Sequence, residues 1–257
     1  MEAPGGAAPR QVLLLTATIV PPADARSLVR RDAQLRLADY LDAFDFHLRE
    51  LARGTADALV LCENSGFDLA PFAARAQAAG LADRVELISF QGLDHPAGHG
   101  RGYGEFKLVD HAMAHSRLIA AAGDAVTVWK VTGRYKILNL RQLILGKPAG
   151  ADLYCHCRNR PVRWVDMYLM AWNRAAYDEI IRGVYHRLRQ DDTPKSAEQY
   201  LREVLDTGSF RARIVRRFRA VPQVDGIRGG DNLNYLAMKN KYRARVLAHR
   251  LLPWLWI

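Results

Sequence analysis

The chain has 257 residues, 49% hydrophobic and 25% charged, which is enough length and apolar content for one sizeable core and excludes an intrinsically disordered chain. A formal charge of +10 favours an anionic partner, whether a nucleotide, a nucleic acid or an acidic membrane surface, without choosing among them. Three cysteines exclude a disulfide framework and no run reaches the ~18 apolar residues of a membrane-spanning helix, so a reducing, cytoplasmic setting is expected.

Residues 1–10 lack the charged and apolar regions of a signal peptide and read as a flexible leader. The apolar run 12–20 predicts a first strand, with Thr16 and Thr18 placed to line a nucleoside pocket. Helical periodicity over 24–53 follows, then a strand over 58–64 that ends on Glu63 and Asn64. A carboxylate and an amide at a strand's carboxyl end suit contact with an acceptor or a nucleotide. A helix over 70–79 and a strand over 85–90 come next. Gly100, Gly102 and Gly104 form a glycine-rich loop that opens onto a helix over 104–122. The free N–H groups and dipole of that helix N-terminus attract anions, so Gly102 and Gly104 are candidate phosphate contacts. The spacing is neither a dinucleotide fingerprint nor a P-loop.

The strand 125–129 leads into WKVTGRYKILN, in which Lys130, Thr132, Gly133, Arg134 and Tyr135 crowd two cations, a hydroxyl, a glycine and an aromatic ring into one turn. Such a turn is a site for something negatively charged. After a turn-rich break at 146–152, strands are expected over 153–159 and 162–172, and a helix over 173–188 with Asn173 as its cap. A helix over 196–205, a loop over 225–232 and a basic tail over 239–257 complete the chain. Cys155, His156 and Cys157 have no second pair to complete a tetrahedral set, so no metal site is expected there. Strands spaced by helices imply βαβ units with a parallel sheet, in a single domain over 11–238.

Four segments, ENSGFDL, GRGYGEFKLVDHAMAHS, WKVTGRYKILN and WVDMYLMAWNRAAYDEI, lie between residues 12 and 181. Together they resemble the bacterial capsule and O-antigen glycosyltransferases that carry G-K-G-Y-G-E and K-x-T-G-R-Y segments. The resemblance implies an α/β, GT-A-like fold with a Rossmann-type mixed, mainly parallel sheet flanked by helices and followed by the basic helical tail. It also implies a nucleotide-sugar donor and, as acceptor, a growing surface glycan of capsule or lipopolysaccharide, free or lipid-linked. The GT-A fold holds a divalent metal through an Asp-x-Asp segment. Here Val131, Thr132, Gly133 and Arg134 stand in that place. The expectation is therefore a metal-independent enzyme, with manganese or magnesium as the alternative, in which Lys130 and Arg134 meet the charge of the departing diphosphate.

An inverting transfer needs a carboxylate to take the acceptor proton. Asp166 and Glu105 are the leading candidates, with Glu63 and Asp231 behind them, Asp231 being expected, like Glu63 and Asn64, to contact the acceptor or the nucleotide. Asp166 interrupts the apolar run WVDMYLM, where an unpaired charge is costly, and Glu105 belongs to the glycine segment. In the tail, cations alternate with apolar residues up to Trp254 and Trp256, a pattern suited to peripheral binding at an anionic inner-membrane surface or to a helix packed on the domain. The rival readings are a non-catalytic nucleotide-sugar-binding protein and a nucleic-acid-binding protein. No helix-turn-helix, zinc-finger or RNA-recognition signature is present, so no nucleic acid partner is expected.

Overall fold

The computed structural model describes residues 10–25, 28–191, 195–252 and 254–257. The expected leader lies outside the described residues except for Arg10.

Seven strands build the main sheet: β1 (Gln11–Ala17), β2 (Ala58–Glu63), β3 (Val85–Ser89), β4 (Thr127–Thr132), β5 (Leu153–Tyr154), β6 (Leu169–Asn173) and β7 (Ile214–Val215). Their order across the sheet is β7-β5-β6-β4-β1-β2-β3. β6 runs antiparallel to both neighbours while every other pairing is parallel, so the sheet is mixed and mainly parallel, as expected. The main helices are α1 (Ala33–Ala52), α2 (Ala70–Ala78), α3 (Gly100–His115), α4 (Ala197–Thr207) and α5 (Lys239–Leu251).

Alternation along the central strands divides the core into two layers. Val12, Leu14 and Val128 face α3 and α4, whereas Leu13, Leu15, Trp129 and Val131 face α1 and α2. Both faces are covered, so β1 and β2 are apolar almost throughout instead of alternating with polar residues. Each buried leucine contributes about 1.5–3 kcal/mol relative to exposure. The chain winds from β1 toward β2 and β3 on one side and toward β4 on the other. That reversal is a topological switch point, and the carboxyl ends of β1 and β4 there are where open α/β sheets form a ligand crevice.

Several elements end where side chains, not periodicity, decide. β1 stops at Ala17 because Thr18 N donates to the Tyr40 hydroxyl (3.1 Å) and Ile19 N to Glu63 Oε1 (2.9 Å). α1 starts at Ala33, after Asp32 caps Leu35 N (2.8 Å), and not at 24. Before it, Val29 N and Arg30 N both donate to Gly229 O. β4 runs on to Thr132. The helix expected over 104–122 begins at Gly100 and breaks at Ser116, where Glu86 of β3 accepts from Ser116 Oγ (2.6 Å), Arg117 N and Leu118 N (both 3.0 Å). The strand expected over 162–172 divides into Trp164–Val165, paired with Cys157–Arg158, and β6. Asn173 caps Ala176 N (3.0 Å) as expected, but Gly183, at φ 70°, interrupts the helix that follows.

Cys155 and Cys157 are buried with their sulfurs 3.9 Å apart, and His156 Nδ1 accepts from Phe218 N (3.4 Å), so the trio is part of the packing. The tail helix α5 has no buried residue, and no helix among the described residues is long and apolar enough to cross a membrane. Beyond α5, Trp256 O accepts from Asn159 N (2.7 Å) and its ring lies under Arg202. Trp254, by contrast, is 72% exposed.

Candidate active site at the switch point

The two-residue period that directs Leu14 toward α3 directs Thr16, Lys130 and Thr132 to the same face, with Thr16 opposite Thr132 and Leu14 opposite Lys130 in the parallel register. α3 crosses above and brings Glu105 down onto them. Glu105 Oε1 accepts from Thr16 Oγ1 (2.8 Å) and Thr132 Oγ1 (2.9 Å) and lies 2.5 Å from Lys130 Nζ. Lys130 is fully buried and also donates to Met167 O (2.6 Å) and, more weakly, to Thr132 Oγ1 (3.3 Å). Its position corrects the expectation that Lys130 meets a phosphate. Because β4 continues past Trp129, Lys130 lies inside the central strand and its donors are used internally. Among the described residues Glu105 Oε2 has no hydrogen-bond partner, and the side chain is 22% exposed. Burial alone would raise the Glu105 pKa, but the Lys130 charge and the bonds from Lys130, Thr16 and Thr132 outweigh it and hold the carboxyl below its usual value.

The turn after β4 carries Arg134. Gly133 N donates to Thr16 O (2.9 Å), and a Cβ on Gly133 would stand 2.8 Å from that oxygen, which is why the turn needs glycine. Arg134 is only 8% exposed, and its guanidinium lies 5.3 Å from the Tyr135 ring centroid. Its Nε and Nη1 have no partner among the described residues. The loop 225–232 closes against it so tightly that a Cβ on Gly229 would fall 2.6 Å from Nη1. Two further arginines converge here that sequence reasoning missed. Arg36 of α1 is buried and holds Thr18 O (2.9 Å) and Arg30 O (3.1 Å); burial lowers its pKa, as do the nearby charges of Arg134 and Arg101. A signal existed in the sequence. Arg36 sits at helical spacing from Tyr40, Phe44, His47 and Leu51 on the buried stripe of α1, where a charge needs a reason.

The remaining candidates separate. Glu63 is saturated: Ile19 N, Ser65 N and Phe67 N each donate at 2.9 Å and Ser65 Oγ adds a fourth bond, so it ties the loops after β1 and β2 and has no lone pair left for a ligand. Asn64 Oδ1 accepts from Thr18 Oγ1 (2.7 Å) in the same scaffold. Asp166 Oδ2 accepts from Arg158 Nε (2.9 Å) and Nη2 (2.7 Å), with Arg245 3.8 Å away, so its charge is already matched by arginine. Asp231 is turned to Arg228 (3.1 Å) and Leu233 N (3.2 Å).

The two glycines read as a phosphate loop lie within α3. A Cβ on Gly102 would come 2.2 Å from Ala197 Cβ, and one on Gly104 3.1 Å from the His95 ring, so both are small because neighbours press on the helix. No group of three or more His, Cys, Asp or Glu side chains among the described residues could hold a metal ion. The segment in the Asp-x-Asp place offers one hydroxyl and a cation, which does not fit a divalent ion.

No family model matches the chain, and no curated protein matches its sequence. Among solved structures, it is similar to a candidate nucleotide-diphospho-sugar transferase from Desulfovibrio desulfuricans G20, at 16% identity and a TM-score of 0.47 over 82% of this chain and 83% of that one. It is also similar to HddC from Yersinia pseudotuberculosis, at 11% identity and a TM-score of 0.40 over 91% of this chain and 99% of that one. Likenesses this distant do not speak to substrate or chemistry.

Proposed function

We propose that this protein is a metal-independent glycosyltransferase that takes a nucleotide-sugar donor at the β1/β4 crevice. The observation that carries the reading is Arg134, a guanidinium about nine-tenths buried with two unpartnered donors and near enough to Glu105 for their charges to interact. Unpaired buried donors are costly unless a ligand completes them, and a guanidinium fork matches a phosphate. Arg36 and Arg101 add positive charge around it, and the crevice lies where α/β sheets bind ligands.

In this reading the acceptor hydroxyl gives its proton to Glu105 Oε2 while its oxygen attacks the anomeric carbon. The bond from that carbon to the diphosphate oxygen breaks, and the electron pair leaves with the diphosphate toward Arg134. Glu105 suits the base role better than Asp166, because its side chain is 22% exposed and lies near Arg134, whereas Asp166 is 8% exposed and paired with Arg158. The acceptor proposed is a bacterial surface glycan of the capsule or lipopolysaccharide type, reached from the cytoplasmic face of the membrane. In support of that location, the exposed face of α5 carries Lys239, Lys241, Arg243 and Arg250 beside exposed Leu247, Leu251 and Trp254.

The test is calorimetric titration of nucleoside diphosphates, together with a donor-hydrolysis screen run in the presence of EDTA. Arg134→Ala should weaken diphosphate binding roughly ten- to hundredfold, the ~1.5–3 kcal/mol of a charge-assisted hydrogen bond, with an unchanged unfolding midpoint. Equal affinity in the two proteins, or hydrolysis that stops in EDTA and returns with manganese, would overturn the reading.

A further inference from the structure

Lys130 occupies a position from which its charge serves another side chain. Its three ammonium protons meet three acceptors, Glu105 Oε1, Met167 O and Thr132 Oγ1, so none is left for a ligand. Glu105 is bound on one side only: Oε1 takes Lys130, Thr16 and Thr132, and Oε2 has no hydrogen-bond partner among the described residues. A carboxylate held by one oxygen has a fixed plane and an aimed second oxygen.

We infer that Lys130, with Thr16 and Thr132, is a positioning residue that keeps Glu105 ionised and turns Oε2 toward the acceptor hydroxyl. The inference rests on the reading of Glu105 as the base. The charged groups around the pair act in the same sense. Arg134, from the turn after β4, adds a second positive charge near Glu105, and Glu198 of α4 helps keep Lys130 protonated against the pull of burial. From β1 only the neutral Thr16 reaches the carboxylate. Removing Lys130 therefore leaves a half-buried carboxylate whose desolvation is no longer offset, and its pKa must rise.

The experiment compares Lys130→Met and Lys130→Arg with the wild type. It measures kcat/KM against pH and, separately, titrates the Glu105 carboxyl by carbon NMR in glutamate-labelled protein, the signal being assigned with Glu105→Gln. In Lys130→Met the acidic limb of the profile and the carboxyl titration should both move up by about one pH unit or more, with donor KM held within about twofold. Lys130→Arg, which keeps a positive charge, should move both back toward the wild type. Should the buried methionine prevent folding, Thr16→Val with Thr132→Val removes two of the three donors to Oε1 and should give an upward shift of the same sign.

An unshifted titration in a folded variant would overturn the inference. So would a large rise in donor KM at constant kcat, which would return Lys130 to the phosphate. If Glu105→Gln stays active, the base assignment fails instead, and the carboxyl titration still reports whether Lys130 sets the charge of Glu105.

Discussion

A buried histidine fixes how the turn carrying Arg134 responds to acid. His47 of α1 donates through Nε2 to Tyr135 O (3.0 Å), while its Nδ1 has no partner among the described residues. Burial pushes its pKa down from 6.5 to about 4. The unfolded chain therefore binds this proton more readily than the folded one. Its contribution to stability is complete above the unfolded value, falls as pH drops between 6.5 and about 4, and levels off below that. The loss amounts to about 3 kcal/mol at most. Urea unfolding of the wild type and His47→Gln near pH 7 and near pH 4 checks this: the wild type should lose more stability across the interval than the variant. Equal losses would mean that His47 takes up its proton in place. At this scale Thr132 and Arg134 were legible as polar residues near a strand end, and Glu105 as the carboxylate of the glycine segment. That Lys130 points inward was not, because one more residue of strand decides whether a lysine lies in the sheet or beyond it.

At the scale of elements, α3 is set by what presses on it. Gly102 allows α4 to approach so closely that Ala197 Cβ would lie 2.2 Å from an added Cβ. Gly102→Val should lower the unfolding free energy by about 1–3 kcal/mol through overpacking, and it should weaken turnover only by shifting Glu105 with the helix. Chemical denaturation beside a donor titration separates this from the phosphate-loop reading, which requires lost donor affinity at unchanged stability. The order of strands and helices was legible because the central strands are apolar runs and the helices repeat at their own period. The breaks were not: Ser116 and Gly183 interrupt patterns that continue in the sequence, since their causes are Glu86, supplied from elsewhere in the chain, and a left-handed backbone.

Across the whole molecule, the excess charge of +10 is partly turned inward and partly displayed. Arg36, Lys130 and Arg134 are buried near the switch point and Arg245 of α5 lies against Asp166, whereas Lys239, Lys241, Arg243 and Arg250 of α5 are exposed. If that face meets an anionic bilayer, replacing Leu247, Leu251 and Trp254 together by serine should abolish sedimentation with vesicles rich in phosphatidylserine, and salt should weaken wild-type binding. Turnover on a short soluble acceptor should remain. Trp256 is left out of the variant because it is docked on the domain, where its removal would disturb the Asn159 turn. Sedimentation equal to that of the wild type would make the tail a structural helix with a solvated basic face.

The sequence by itself determined the α/β class, the core-forming strands and the concentration of cations, hydroxyls and carboxylates near strand ends, because periodicity and composition are local properties of a chain. Only the tertiary structure decided which of those residues meet. It joined Thr16, Lys130, Thr132 and Glu105, residues far apart in sequence, through the register of β1 with β4 and the path of α3 above them. It also saturated Glu63, paired Asp166 with Arg158, and left Arg134 with open donors. Whether a charge is free for chemistry depends on the partners that packing brings within about 3 Å, and no local pattern records that distance.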